Sequence, residues 1–111
     1  MANDILQSLA EREKLPLVDL NRILLATGRV NDAADSLLRN PVNSGEPDGV
    51  HLTPEGYRFV AAAVYCRLLD MGWKFRKVVC LGDSLTYGVH VAGGGTIEGE
   101  CYPARLRELL S

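Results

Sequence analysis

Four apolar residues in succession, Val78-Val79-Cys80-Leu81, lead without a polar break into Gly82-Asp83-Ser84. A strand with one face in water alternates apolar and polar side chains, so an unbroken short run predicts a strand buried on both faces. Such a strand needs partners at its edges and helices above and below it. The same run sets Ser84 at the point where a strand gives way to a turn. Its hydroxyl would then stand above a sheet edge, where ligands of open α/β sheets bind.

The surrounding pattern fits that demand. Residues 4–13 carry Ile5, Leu6, Leu9 and Ala10 on one side and Gln7, Glu11 and Arg12 on the other, an amphipathic helix with Asn3 or Asp4 as N-cap. Leu15 to Leu20 reads as a short strand, with Pro16 near its beginning where a missing N–H is tolerated. Residues 21–38 hold the apolar cluster Ile23-Leu24-Leu25 and, after Gly28, a short helix ending at Leu37-Leu38. Residues 39–50 are dense in turn formers and read as a loop. The strongest helix follows, with Thr53 as N-cap, Pro54 in the first helical position and Glu55 complementing the dipole. Tyr57, Val60, Val64, Leu68 and Met71 form its apolar stripe, and Gly72 is its stop. A glycine-rich loop from Gly88 to Gly99 precedes a last helix starting at Tyr102. Helices alternating with two strands predict an α/β fold, a parallel sheet flanked by helices.

Bulk properties narrow the function. A length of 111 residues allows one domain, and 47% hydrophobic with 23% charged residues is ordinary for a globular chain. A formal charge of −2 gives no reason to expect nucleic acid or an anionic membrane as partner. No apolar run approaches the roughly 20 residues of a membrane helix, and Met1-Ala2-Asn3-Asp4 lacks the basic and apolar regions of a secretory signal. The expected setting is cytoplasmic. Cys66, Cys80 and Cys101 have no metal-ligand spacing and read as free thiols acting as small hydrophobes. No cofactor and no metal are expected.

A serine hydroxyl becomes a nucleophile when a base accepts its proton and a third group orients that base. Asp48 and His51, three residues apart in Asp48-Gly49-Val50-His51-Leu52-Thr53-Pro54, supply an orienter and a base. Ser84 supplies the nucleophile, and its own backbone N–H is a candidate donor to the oxyanion of an acyl intermediate.

Gly82-Asp83-Ser84-Leu85-Thr86 resembles the nucleophile block of the GDSL, or SGNH, hydrolase family, and Tyr102-Pro103 with Leu106, Leu109 and Leu110 is similar to the helix that usually follows it. Asp48 to Tyr57 resembles the family's Asp-x-x-His block and the start of its final helix. Asn3, Leu6, Leu9 and Ala10, followed by Leu17-Val18-Asp19-Leu20, are similar to the segment before that block. The resemblance implies a flavodoxin-like parallel sheet and hydrolysis of a small ester or thioester through an acyl-serine, with Ser84, His51 and Asp48 in the roles above. Residues 1–72 resemble the family's C-terminal part and 73–111 its N-terminal part, so the blocks stand in circularly permuted order. The family's middle, with the Gly and Asn that complete its oxyanion hole, has no counterpart here.

Permutation is geometrically allowed. A helix from Glu55 to Asp70 is about 24 Å long, and the link from Trp73 to Lys77 spans at most about 17 Å. Val78–Leu81 would thus run parallel to Val18–Leu20 in a β-α-β crossover, bringing His51 and Ser84 to one edge. The sheet would be incomplete, which predicts direct pairing of the two strands, a homo-oligomer, or a complementing chain, with self-association favoured because it also covers the exposed faces. The alternative is a catalytically inert α/β fragment serving in assembly or partner binding. Four features carry blander readings. Gly28-Arg29-Val30-Asn31-Asp32 imitates a Gly-x-Asn-Asp block, yet Asn31 or Asp32 reads better as a helix N-cap. Asp83 reads as a turn stabiliser, His90 as a solvated loop residue, and Gly93-Gly94-Gly95 lacks the Gly-Lys-Ser/Thr of a P-loop. Lys74, Arg76 and Lys77 read as a soluble link.

Overall fold

The computed structural model describes residues 1–72, 74 and 76–111. Among the described residues six helices follow in order: α1 (Ala2–Arg12), α2 (Leu20–Ala26), α3 (Pro41–Ser44), α4 (Pro54–Asp70), α5 (Ser84–Tyr87) and α6 (Tyr102–Leu110). The core lies where the N-terminal half of α4 meets α6 and the chain around Leu37 and Leu52. Leu52, Tyr57 and Val60 are its centre, with Leu20, Leu38, Val64, Val91 and Tyr102 packed against them. Gly56 lets α4 approach closely, because a Cβ there would strike the Leu37 carbonyl oxygen.

Local chemistry explains the helix ends. The Thr53 hydroxyl accepts the Gly56 N–H at 3.1 Å, Pro54 opens α4, and Gly72 follows its C-cap at φ +64, a conformation that glycine adopts without strain. These ends are as the sequence predicts. α1 starts two residues earlier than expected and has no side-chain cap, since Met1 rather than Asn3 or Asp4 precedes it.

The expected α/β architecture is not formed. The flavodoxin-like, SGNH-type parallel sheet flanked by helices is replaced by a helical fold, so the α/β description, and with it the SGNH-type fold, is corrected. Among the described residues β pairing is confined to one antiparallel bridge, Leu38 with Leu52. The reason is a lack of partners: a strand is stable only as part of a ladder, and pairs of short strands are marginal even when formed. The first expected strand, Leu15 to Leu20, has no regular structure before Leu20, where α2 begins. Asp19 accepts the Arg22 N–H at 3.1 Å and caps that helix, drawing the end of the segment into it. The second, Val78 to Leu81, neither gives nor receives a backbone hydrogen bond among the described residues, and Leu81 is 88% exposed. The β-α-β crossover is therefore absent too. The Trp73–Lys77 link contains Trp73 and Phe75, which lie outside the described residues.

Two smaller expectations also change. No helix follows Gly28 up to Leu38; turns fill that stretch. The loop expected over 39–50 contains α3, capped at both ends by Asn40 and Gly45. The glycine-rich stretch 88–99 is a loop, as predicted. No helix is long and apolar enough to cross a membrane among the described residues.

Candidate active site

The two motif blocks meet although the sheet meant to align them is missing. His51 Nε2 lies 3.1 Å from Ser84 Oγ, across 33 positions of sequence. On the other side of the ring, His51 Nδ1 lies 3.1 Å from Asp48 Oδ2 and 3.2 Å from Oδ1. The structure brings together all three predicted residues in the order nucleophile, base, orienter.

Each is held by identifiable local chemistry. Asp48 Oδ1 accepts the backbone N–H groups of Val50 and His51, both at 2.9 Å, which folds the tetrapeptide so that its aspartate and histidine face each other. Gly49 sits at the bend with φ +76. The His51 and Val50 backbone donors, helped by the His51 ring and opposed by desolvation, lower the Asp48 pKa to about 2. Arg39 Nε approaches Asp48 Oδ2 at 3.6 Å and adds charge without a hydrogen bond. Against an ionised carboxylate the neutral imidazole keeps its proton on Nδ1. That leaves the Nε2 lone pair for the Ser84 O–H.

The backbone of this block is fixed to a short antiparallel ribbon. Arg39 N–H donates to the His51 carbonyl at 2.9 Å, Thr53 N–H to Leu37 at 3.0 Å, and Gly49 N–H to Arg39 at 2.9 Å. Asn40, only 3% exposed, ties the ribbon to its surroundings. Its side-chain oxygen accepts the Val42 and Asn43 N–H groups at 2.9 Å each, and its amide donates to the carbonyls of Asn31 and Ala33. Arg29 clamps the start of α4 through two bonds to Glu55, at 2.8 and 2.6 Å.

Ser84 is the first residue of α5. Asp83 accepts the Leu85 N–H at 3.0 Å, so it is the turn stabiliser that the sequence implies. The Ser84 N–H donates to no acceptor among the described residues and is free to serve an oxyanion. Gly88 closes α5 at φ +85, tucked so tightly against Cys101 that a side chain there would clash. In the loop beyond it, Gly95 N–H donates to the Tyr87 carbonyl at 2.7 Å and Thr96 N–H to that of Gly93 at 3.1 Å.

Asn31 is corrected in detail: it caps no helix, but its side chain accepts from Ala33 and donates to Gly28 within a turn. His90 is exposed, as expected for a loop, yet it is not simply solvated. Its ring meets that of His51 edge-on, with centroids 5.2 Å apart. Sequence reasoning missed Arg39, Asn40 and His90 as neighbours of the site. Asn40-Pro41-Val42-Asn43 carried a readable signal, an N-cap followed by proline; His90 carried none.

A groove of about 1100 Å³ does not include Ser84 or His51. It runs beside α5, between the C-terminal half of α4 (Tyr65, Leu69), the Val79–Leu81 segment and the end of α6 (Leu109). No protein-family model, curated protein or solved structure matches this chain.

Proposed function

We propose that the chain is a serine-dependent hydrolase of small carboxylic esters or thioesters, acting through an acyl-serine. The observation that supports this reading is the continuous hydrogen-bonded relay from Asp48 through His51 to Ser84. In the first step His51 Nε2 takes the Ser84 proton as Oγ bonds to the acyl carbon. The protonated ring then delivers that proton to the leaving alcohol or thiol. In the second step His51 takes a proton from water as its oxygen bonds to the acyl carbon. The protonated ring returns that proton to Ser84 Oγ as the acyl–Oγ bond breaks and the acid leaves. Asp48 steadies the imidazolium throughout.

The Ser84 N–H supplies one oxyanion donor. Removing one donor from a complete oxyanion hole costs about 100- to 1,000-fold in rate, so turnover by a single-donor site is slow and acylation is the sensitive readout. A fluorophosphonate probe tests the reading. Wild type labels at Ser84, Ser84→Ala does not, and His51→Ala labels far more slowly; absence of wild-type labelling at any probe concentration rejects it.

The resemblance to GDSL hydrolases supports this chemistry through its two motif blocks alone, since the fold differs. A cytoplasmic setting belongs to the same reading and fits three free cysteines. Self-association belongs to it as well, motivated by the exposed Val78, Val79 and Leu81, and light scattering that finds only monomer removes that part. The groove lined by Leu69, Val79, Leu81 and Leu109, which does not include Ser84, favours the alternative, a module that binds a partner and is catalytically inert.

A further inference from the structure

We propose that Asp48, His51 and His90 form a binding site for a divalent transition-metal ion, Zn²⁺ being the best fit, and that the ion switches the serine off. The three residues each offer one ligand atom, and these atoms lie within 4.8 Å of one another. Two imidazoles and a carboxylate with a fourth position open are a donor set that Zn²⁺ accepts.

The placement of His90 is specific. Gly88 is buried against Cys101, and Val91 packs on the core formed by Leu52, Tyr57 and Val60. These two anchors leave a tight turn whose exposed apex is His90, at φ +72. A side-chain-bearing residue is uncommon in the left-handed region and strained there. The turn accepts that strain while holding the ring edge-on to His51, with an interplanar angle of 83°.

Geometry sets what binding must change. Zn–N and Zn–O bonds of about 2.0–2.2 Å require donor atoms no more than about 4.2 Å apart. The 4.8 Å cluster therefore contracts on binding, and the exposed His90 side chain is the one free to move. Asp48 Oδ1 is committed to two backbone N–H groups, so Oδ2 is the oxygen left for a cation. Arg39 Nε, 3.6 Å from Oδ2, opposes the ion by charge and limits its affinity. The site is suited to reversible occupancy rather than to a permanent structural metal.

The consequence for catalysis rests on the hydrolase reading; the binding does not. A neutral imidazole has a single lone pair. If Zn²⁺ takes it at Nδ1, the ring proton moves to Nε2 and points at Ser84 Oγ; if Zn²⁺ takes it at Nε2, the same pair is spent. Either way His51 can no longer accept the serine proton.

The test is titration of the full chain with ZnCl₂, read by calorimetry and by the imidazole NMR signals. One ion per chain, shifting the His51 and His90 rings together, is expected. His90→Gly, which suits the left-handed backbone, and His90→Ala should each weaken binding by about tenfold or more. A dissociation constant above about 1 mM, or an affinity in both variants equal to that of wild type, overturns the site. Fluorophosphonate labelling supplies a separate arm: zinc should slow it and a chelator restore it in wild type, with more zinc needed in His90→Gly. Labelling unaffected by bound zinc overturns the switch. A chain that binds zinc through His90 yet never labels keeps the metal site, loses the switch and refutes the hydrolase reading.

Discussion

The two halves of α4 (Pro54–Asp70) show the molecule's divided character. Its first turns bury Gly56, Tyr57, Val60 and Ala61, and immediately before them lie Asp48 and His51 on a ribbon held by Asn40 and Arg39. Its last turns leave Leu69 at 59% exposure beside an open groove. The Val78–Leu81 segment and α1 share that condition: Val79 and Leu81 face solvent, as do Ile5, Leu6 and Leu9, and α1 buries no residue. The difference teaches that the site is built by local hydrogen bonds and one compact core. It does not depend on the sheet whose strands the sequence pattern predicts.

That contrast can be broken from the site outward. Asp48→Asn should cut fluorophosphonate labelling by about 10²- to 10⁴-fold while helical circular dichroism stays as in wild type. An equal rate in both proteins would remove Asp48 from the relay. The same variant has a pH signature. The folded-state pKa of about 2 lies below the usual value of 3.8, so Asp48 stabilises the fold at pH values above the unfolded pKa. This contribution is lost as pH falls from about 4 through about 2, and acid unfolding of Asp48→Asn should lack that part of the transition.

Next in size is Asn40→Ala. It strips the N-cap of α3 and the donors to Asn31 and Ala33, leaving part-buried backbone groups without these partners. Loss of about 1–3 kcal/mol in urea unfolding is expected, together with slower labelling as the His51 ribbon loosens. A neutral result would mean that Asn40 does not organise the block. The smallest effect belongs to the other region. Leu81→Asp should alter monomer stability by less than about 0.5 kcal/mol, while abolishing any self-association seen by light scattering. A large loss of monomer stability would show that the segment is packed.

Much of the site was legible because it is short-range. Asp48, Val50 and His51 make their own turn, Thr53-Pro54 starts the following helix, and Asp83 caps the turn at Ser84; each needs only a few neighbouring residues. The sheet was misread because the apolar character of Val78–Leu81 reports a preference for burial and says nothing of whether partners exist to bury it. Leu15–Leu20 failed for a related reason, since Asp19 as a helix cap outweighed a weak strand pattern. His90 was unreadable because its contact with His51 depends on where Gly88 and Val91 anchor the loop.

The central claim is that His51 joins Asp48 and Ser84 in one chain. Nitrogen-15 NMR of the imidazoles tests it most directly, on wild type beside Asp48→Asn and Ser84→Ala. The expected result is a His51 ring protonated on Nδ1 in its neutral form, with that preference weakened in Asp48→Asn and the Nε2 signal displaced in Ser84→Ala. A His51 ring that averages both tautomers and ignores both substitutions would contradict it.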